Sequence, residues 1–210
     1  MLYSEESGRK QPQILALRTP PQTGSFTSGA LAGIAAELKK RVTKVRILDL
    51  GACSKETTAN LGTSRCVIAF EDLGADPMLA LSMGDRTEWR LADALSTVPA
   101  PKPFDLVLAW DILNYLQPKE IVELFGLLAS SISSTSFVHL LLCALVRYPA
   151  RPGRFEYTSD GSVRYRMTHQ EIIPCPRISP HELERLLPYF TIERLVLLQD
   201  GYYEVVLKLN

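Results

Sequence analysis

Two acidic side chains stand where short apolar runs end, and these are the residues of this chain best placed to do chemistry. Asp49 ends the first run and is followed by a glycine turn at Gly51, and Glu71 ends the second run about twenty residues later. Continuous apolar runs are typical of buried parallel strands, and ligands of doubly wound sheets bind at the carboxyl ends of such strands. Glu71 is then placed to accept hydrogen bonds from two ribose hydroxyls. The sequence therefore predicts a nucleoside-type pocket.

The elements that must position these residues alternate along the chain. After an amphipathic helix at 28–41, strands are predicted near 45–50, 66–71, 89–91, 104–110, 137–143, 191–198 and 202–208. Helices are predicted near 55–62, 76–83, 118–130 and 179–187. Alternating strands and helices favour a parallel sheet with helices on both faces, and a tight turn at Gly201 makes the last two strands antiparallel. We therefore predict a doubly wound α/β fold with a mostly parallel, seven-stranded sheet and an antiparallel last strand.

The chain divides into an arm, one domain and one insertion. Residues 1–26 are polar and rich in proline, which predicts a flexible N-terminal arm. Residues 27–210 then form a single domain. Within it, residues 147–177 are rich in arginine, proline and tyrosine, and the Asp160-Gly161 pair between two alternating runs predicts a hairpin.

Composition excludes several classes of function. Lysine plus arginine and aspartate plus glutamate number 23 each, so no net field draws the molecule to nucleic acid or to an anionic membrane. No apolar run reaches membrane-spanning length, and the first residues do not form a secretory signal. Four scattered cysteines indicate free thiols in a cytoplasmic protein, and none of the three histidines stands at metal-ligand spacing. We predict no metal site.

Four blocks in this order resemble the class I, Rossmann-like S-adenosylmethionine-dependent methyltransferases. They are residues 47–53, 67–71, 91–95 and 104–116. The resemblance covers roughly residues 40–145 and 178–208, without the arm and the insertion. It implies S-adenosylmethionine as the cofactor. The positions that it implies in cofactor binding are Asp49, Gly51, Cys53, Lys55, Glu71, Asp93, Ala94 and Trp110.

By this resemblance, Gly51 would pass under the methionine part of the cofactor and Glu71 would hold the ribose. Asp93 would face the adenine amino group with Ala94 beside the ring, and Trp110 would line the mouth of the methyl-transfer site together with the residue after it. Asp49 has a second interpretation, in which its carboxylate caps the amides of the loop.

The glycine loop departs from the family pattern. Where the family places three alternating glycines, this chain has Gly51, Cys53 and Lys55. A cysteine at the second position still permits fairly close approach of a ligand. Lys55 leaves three alternatives open: it pairs with the carboxylate of the cofactor, it fills the site, or it points to solvent.

Three residues are candidates for catalysis. Asp111 could orient a substrate or simply cap a helix, and Tyr115 could line the site or pack in the core. His169 lies in the insertion near Tyr165 and is the histidine best placed to meet a substrate. His139 lies in an apolar strand and is interpreted as a core histidine with a hydrogen-bond partner.

The insertion is interpreted as a substrate lid or a docking ribbon for a protein partner, with a solvated surface hairpin as the alternative. Arg164 and Arg166 would face the same side of a strand, an arrangement that suits carboxylate or phosphate, and Tyr157 is a further candidate for substrate or partner contact. Acidic residues dilute the patch, so nucleic acid is a weak candidate.

The sequence thus favours methyl transfer from S-adenosylmethionine to an oxygen or nitrogen of a small-molecule acceptor. The alternative is a catalytically inactive methyltransferase-like scaffold or regulatory subunit that acts through protein contacts. A nicotinamide-dependent oxidoreductase is disfavoured, because the loop lacks the second and third glycines of the dinucleotide motif.

Overall fold

The computed structural model describes residues 21–62, 64–75, 91–175 and 178–210. In chain order the strands are β1 (Thr23–Thr27), β2 (Val45–Asp49), β3 (Cys66–Phe70), β4 (Phe104–Trp110), β5 (Ile132–Cys143), β6 (Arg147–Pro149), β7 (Arg154–Tyr157), β8 (Ser162–Arg166), β9 (Ile172–Pro174), β10 (Phe190–Leu197) and β11 (Tyr202–Leu209). The α-helices are α1 (Gly29–Lys40), α2 (Lys55–Leu61), α3 (Leu91–Ala94), α4 (Pro118–Ala129) and α5 (Pro180–Leu186). Two short 3₁₀ helices span Leu73–Ala75 and Ile112–Tyr115.

The main sheet has the order β10-β11-β5-β4-β2-β3 within the described part of the chain. The pairs β2–β3, β2–β4 and β4–β5 are parallel, while β11 is antiparallel to both β5 and β10. The chain runs from β2 outward to β3 and then returns to the other side of β2 to form β4. Strand order therefore reverses between β2 and β4, and in doubly wound sheets the ligand crevice lies at such a point.

The mixed α/β fold with a mostly parallel sheet is as predicted, but the described residues form six strands of this sheet. A strand was predicted near 89–91, but its last residue, Leu91, instead begins α3, which is a single helical turn. The other two residues of that strand, and the helix predicted at 76–83, lie outside the described residues.

Sequence patterns explain the main helices. Ser28 caps α1 by accepting a hydrogen bond from the Leu31 amide, and α1 buries an apolar side against the core. In α4 a capping box at Gln117 and Glu120, with proline at the first helical position, defines the start. No helix in the described ranges is both long and apolar enough to cross a membrane.

A small second sheet covers the strand ends. Strands β7 and β8 form an antiparallel hairpin whose turn contains Gly161, with a φ of 80° that favours glycine, and β1 pairs with the outer side of β8. Residues 23–26 of the predicted flexible arm therefore belong to a strand, and residues 1–20 lie outside the described part. The pattern Thr-Gly-Ser-Phe-Thr lacks an apolar run, which explains why its pairing was not predicted.

Candidate functional site

The first wall of the candidate site is the loop after β2. Asp49 is buried, and its Oδ1 atom accepts hydrogen bonds from the Gly51 amide at 2.9 Å and from Trp110 Nε1 at 2.7 Å. Burial raises the pKa of the Asp49 carboxyl to about 7, and these two hydrogen bonds offset the effect only in part. Asp49 therefore caps the loop, which was the second interpretation of this residue.

The second wall is Trp110, which closes the crevice between β2 and β4. Its indole stacks on Phe155 of the hairpin, with ring centroids 5.6 Å apart and planes within 8°, and meets His139 edge-on at 6.0 Å. A Cβ atom added to Gly51 would lie 2.6 Å from Trp110 Cδ1. The space directly over Gly51 is therefore filled by the indole.

The third wall is the end of β3. Glu71 Oε1 accepts hydrogen bonds from the Ser96 hydroxyl at 2.9 Å and from the Thr97 amide at 2.5 Å. Burial alone would raise the pKa of Glu71, but the hydrogen bonds from Thr97 and Ser96 outweigh it and lower the pKa. Asp93 is exposed and Ala94 is half-buried in α3, just before the Ser96-Thr97 turn that reaches Glu71.

Asp111 and Tyr115 attach the insertion to the core. Asp111 Oδ2 accepts hydrogen bonds from the Tyr148 hydroxyl at 2.7 Å and the Gly153 amide at 3.0 Å, while its Oδ1 is buried without a partner among the described residues. Burial raises the pKa of the Asp111 carboxyl to about 7. Tyr115 is buried and donates to the Arg151 carbonyl at 2.7 Å. For Tyr115 the geometry matches the core-packing alternative.

A small polar cavity, which we call the strand-end cavity, borders Gly51 and Trp110, whereas Asp49 and Glu71 are not among the residues that line it. Its volume is about 210 Å³, below the 300–1,000 Å³ usual for sites of drug-sized ligands. Gly51, Asp72 and Asp111 line it from the strand ends, and Gly153 and His169 line it from the insertion. The structure thus brings His169 to the candidate site.

A larger cavity, the arginine cavity, lies on the outer side of the hairpin and has a volume of about 620 Å³. Arg164 and Arg166 line it together with Cys53 and the loop beside it. Tyr157 is buried on the opposite face of the hairpin and does not share this surface. Lys55 is exposed at the start of α2 and lines neither cavity, which matches the solvent-facing alternative.

The described ranges hold no cluster of three or more histidine, cysteine, aspartate or glutamate side chains suited to a metal ion. Sequence reasoning missed three residues that contact predicted site residues, namely Ser96 and Thr97 at Glu71 and Phe155 at Trp110. Phe155 carried a signal, because alternation along the predicted hairpin places it on the inward face. No sequence signal marked Ser96 and Thr97 as partners of Glu71, because a turn between elements has no periodic pattern.

The crevice can be tested for S-adenosylmethionine on these contacts. It lies at the strand-order reversal and has carboxylates at three strand ends, but Trp110 fills the space over Gly51 that the resemblance assigns to the methionine part. The residues therefore do not fit the cofactor in this conformation, and they would fit it only with the indole displaced.

The fold has counterparts among solved structures. A S-adenosylmethionine-dependent methyltransferase from Clostridium acetobutylicum aligns with a TM-score of 0.50 at 12% identity, over 86% of this chain and 89% of that chain. A Burkholderia thailandensis 1,6-didemethyltoxoflavin N1-methyltransferase with bound S-adenosylhomocysteine aligns with a TM-score of 0.46 at 17% identity, over 87% and 79%. A Leishmania major methyltransferase aligns with a TM-score of 0.47 at 17% identity, over 85% and 71%.

No protein-family model matches the chain, and no curated protein matches it. At the identities found, the likeness concerns the fold. The chain has the fold of the class I S-adenosylmethionine-dependent methyltransferases, so the resemblance found in the sequence is confirmed at that level.

Proposed function

We propose that this chain binds S-adenosylmethionine at the carboxyl ends of β2, β3 and β4 and transfers its methyl group to an oxygen or nitrogen of a small-molecule acceptor. The observation that carries the proposal is the polar cavity at the reversal of strand order in a sheet of class I methyltransferase topology. In this proposal Glu71 holds the ribose, Asp93 and Ala94 meet the adenine, and the loop at Gly51 supports the methionine part.

When bound, the cofactor would supply a methyl group on a sulfonium ion, and the neutral thioether S-adenosylhomocysteine would leave without help from a strong base. The work left to the protein is to position the acceptor in line with that methyl group and to exclude water, and such positioning can supply much of the rate. A Ser-His-Asp constellation is therefore not required. In keeping with this, the Ser28 hydroxyl donates its hydrogen bond to Glu204 Oε1, which His139 Nε2 also contacts, and not to the histidine as a nucleophile would.

The structure is the closed form of the site in this proposal, and Trp110 must leave its position over Gly51 before the cofactor enters. A binding-competent state that is only partly populated weakens the apparent affinity by its fractional population. Displacing the indole breaks its hydrogen bond to Asp49 and its stack on Phe155. The wild-type protein should therefore bind the cofactor more weakly than a variant without the indole.

The test is calorimetric titration with S-adenosylmethionine and S-adenosylhomocysteine. Glu71→Ala should weaken binding roughly tenfold or more, as expected for hydrogen bonds to a charged group. The matched control is Glu56→Ala, which removes an exposed carboxylate of α2. Unchanged affinity in the Glu71 variant would refute the ribose role, and no binding to any variant would refute the proposal.

Fluorescence separates the closed form from a static site. The chain has two tryptophans, so Trp89→Phe leaves Trp110 as the sole reporter. Cofactor binding should shift the Trp110 emission to the red, because the indole moves from a buried stack toward water. Binding without any change in emission would show that Trp110 stays in place and that our account of the closed form is wrong.

A second candidate function is a scaffold without catalysis, and one observation favours it. Gly51 is the only one of the three alternating glycines present, and Trp110 occupies the space above it. Under this alternative, wild type does not bind the cofactor while Trp110→Ala gains binding. Cofactor titrations of wild type and of Trp110→Ala therefore distinguish an enzyme whose site opens from a scaffold whose site stays closed.

A further inference from the structure

The arginine cavity has the size and walls of a small-molecule site. Its volume of about 620 Å³ falls within the 300–1,000 Å³ typical of such sites. Thr23 and Ser25 of β1 form one wall, the outer face of the β7–β8 hairpin forms another, and residues 52–54 of the glycine loop form the third. The cavity is distinct from the strand-end cavity, although Ala52 and Arg154 border both.

The hairpin places like charges opposite each other at this cavity. In the β7–β8 register Arg154 is the direct partner of Arg166, and Arg164 lies two residues along on the same face. All three side chains are exposed and line the cavity. Like charges directly opposite on neighbouring strands destabilise a sheet. A ligand that bridges the two guanidinium groups would reverse this repulsion.

These arginines have no ion-pair partner within the part of the chain that the structure describes. Glu156 is the register partner of Arg164, but its Oε1 accepts a hydrogen bond from the Ser54 hydroxyl at 3.2 Å. With three arginines and one glutamate, the lining keeps an excess of positive charge that faces a concave space.

We propose that the arginine cavity binds an anionic small molecule through phosphate or carboxylate groups held by Arg154, Arg164 and Arg166. Guanidinium groups are planar forks that bind such oxygens in pairs, which a single lysine does not. A concave site of this volume, with Glu156 inside it, suits a small anion better than a nucleic-acid backbone. That the anion is the methyl acceptor rests on the function proposed above, whereas the anion binding does not.

The direct test uses two probes, inorganic pyrophosphate for phosphate groups and citrate for carboxylate groups. Calorimetric affinity is measured for wild type, for the double variant Arg154→Gln/Arg166→Gln, and for Arg185→Gln as the matched control on the exposed side of α5. At least one probe should bind wild type and the control, and the double variant should bind it at least roughly tenfold more weakly, as expected when charge-assisted hydrogen bonds are lost. The single variant Arg166→Lys keeps the charge but not the fork of donors, so its affinity for the probe should lie between those of wild type and the double variant.

Thermal denaturation gives a second test, in which the melting temperatures of wild type and the double variant are compared without and with a probe. Without a probe, the double variant should melt at the same temperature as wild type or higher, because the repulsion across the hairpin is removed. With a saturating probe, wild type should gain stability and the double variant should not. This pair of results also shows that the variant is folded.

Cys53 provides a local reporter, since its exposed side chain lines the cavity. Iodoacetate carries a negative charge and iodoacetamide does not, so the cavity should favour iodoacetate at Cys53. The ratio of the two alkylation rates, measured by peptide mass mapping, should fall several-fold in the double variant, on addition of the probe that binds, and at high salt. Cys143 is buried and serves as the internal control.

Three results would overturn the proposal: no binding of either probe at millimolar concentration, equal affinity in the double variant and wild type, or tighter binding of a short oligonucleotide than of both probes. None of these depends on S-adenosylmethionine. A protein that binds pyrophosphate or citrate but not the cofactor keeps this site and loses the proposed function, and the reverse result separates the two equally well.

Discussion

Trp110 adopts a backbone conformation that bulky side chains seldom adopt. Its φ is 45°, and the other positive φ angles within the described residues are all at glycines. Such strain persists when surrounding contacts over-determine the position, and it is concentrated at functional sites. Here the contacts are the hydrogen bond to Asp49 and the stack on Phe155. A buried residue that these contacts hold against its own backbone preference releases this strain if it leaves its position.

Replacing Trp110 with glycine and with alanine separates the backbone strain from the side-chain contacts. Both variants lose the indole and should be less stable than wild type by about 3–5 kcal/mol. The glycine variant should nevertheless be more stable than the alanine variant by about 1 kcal/mol, because only glycine accepts a positive φ without strain. Urea denaturation of both proteins measures the difference.

The neighbouring residue gives the control. Ala109 is a buried strand residue without positive φ, so Ala109→Gly should destabilise the protein by roughly 0.5–1 kcal/mol. Glycine should thus give a more stable protein than alanine at position 110 and a less stable one at position 109. Equal stability of the two Trp110 variants would show that the backbone there is not strained.

The residues at the strand ends show how much of the candidate site could be predicted from the sequence. Apolar runs located Asp49, Glu71 and Asp111 at the ends of strands, because strand length and polarity are local properties. The direction of Trp110 was not predictable, since it depends on one φ angle and on Phe155, which is 45 residues further along the sequence. The sequence therefore placed these carboxylates at strand ends but did not reveal that Trp110 fills the space over Gly51.

At the scale of elements, the hairpin is fixed to α2 through its backbone. The Tyr157 amide donates to Thr57 Oγ1 at 3.0 Å, and Asn60 Nδ2 donates to the Tyr157 carbonyl at 3.0 Å. Since Thr57 is fully buried, water cannot replace its hydroxyl. These bonds hold the hairpin over the glycine loop and so keep Phe155 against Trp110. The Asp160-Gly161 pair predicted the hairpin, but its attachment to α2 spans 100 residues and has no local signal.

Thr57→Val should loosen this attachment. The substitution keeps the shape of the side chain but leaves the Tyr157 amide buried and unpaired, which costs about 1–3 kcal/mol. Amide hydrogen exchange in β7 should accelerate more than exchange in β4, because the loss is local to the hairpin. Thr57→Ser keeps the hydroxyl oxygen and should retain slow exchange in β7, while Thr191→Val on the exposed side of β10 should change neither. Equal acceleration in both strands would mean that the hairpin opens only with global unfolding.

At the scale of the whole molecule, the core contains ionisable groups whose effects on stability oppose each other. Burial raises the pKa of both Asp49 and Asp111 to about 7 from an ordinary value of 3.8. For Glu204, burial alone would raise the pKa, but the hydrogen bond from His139 and the attraction to it lower the pKa overall. A lowered pKa contributes stability that is lost as the solution becomes acidic. A raised carboxyl pKa has the reverse effect, since the folded state then binds more protons than the unfolded state.

The free energy of unfolding should therefore fall as the pH rises from about 5 to 7, because across this window Asp49 and Asp111 are ionised in the unfolded state but still protonated in the folded core. A shift of about three pKa units corresponds to at most about 4 kcal/mol for each group at 1.36 kcal/mol per unit. Asp111→Asn removes one titrating group while its side-chain oxygen can still accept from Tyr148, so it should reduce the slope by about half. Asp93→Asn, at an exposed carboxylate, should leave the slope unchanged. Urea denaturation at half-unit steps of pH measures all three proteins, and a wild-type stability that stays constant or rises across this window would contradict the neutral state of the two buried carboxyls.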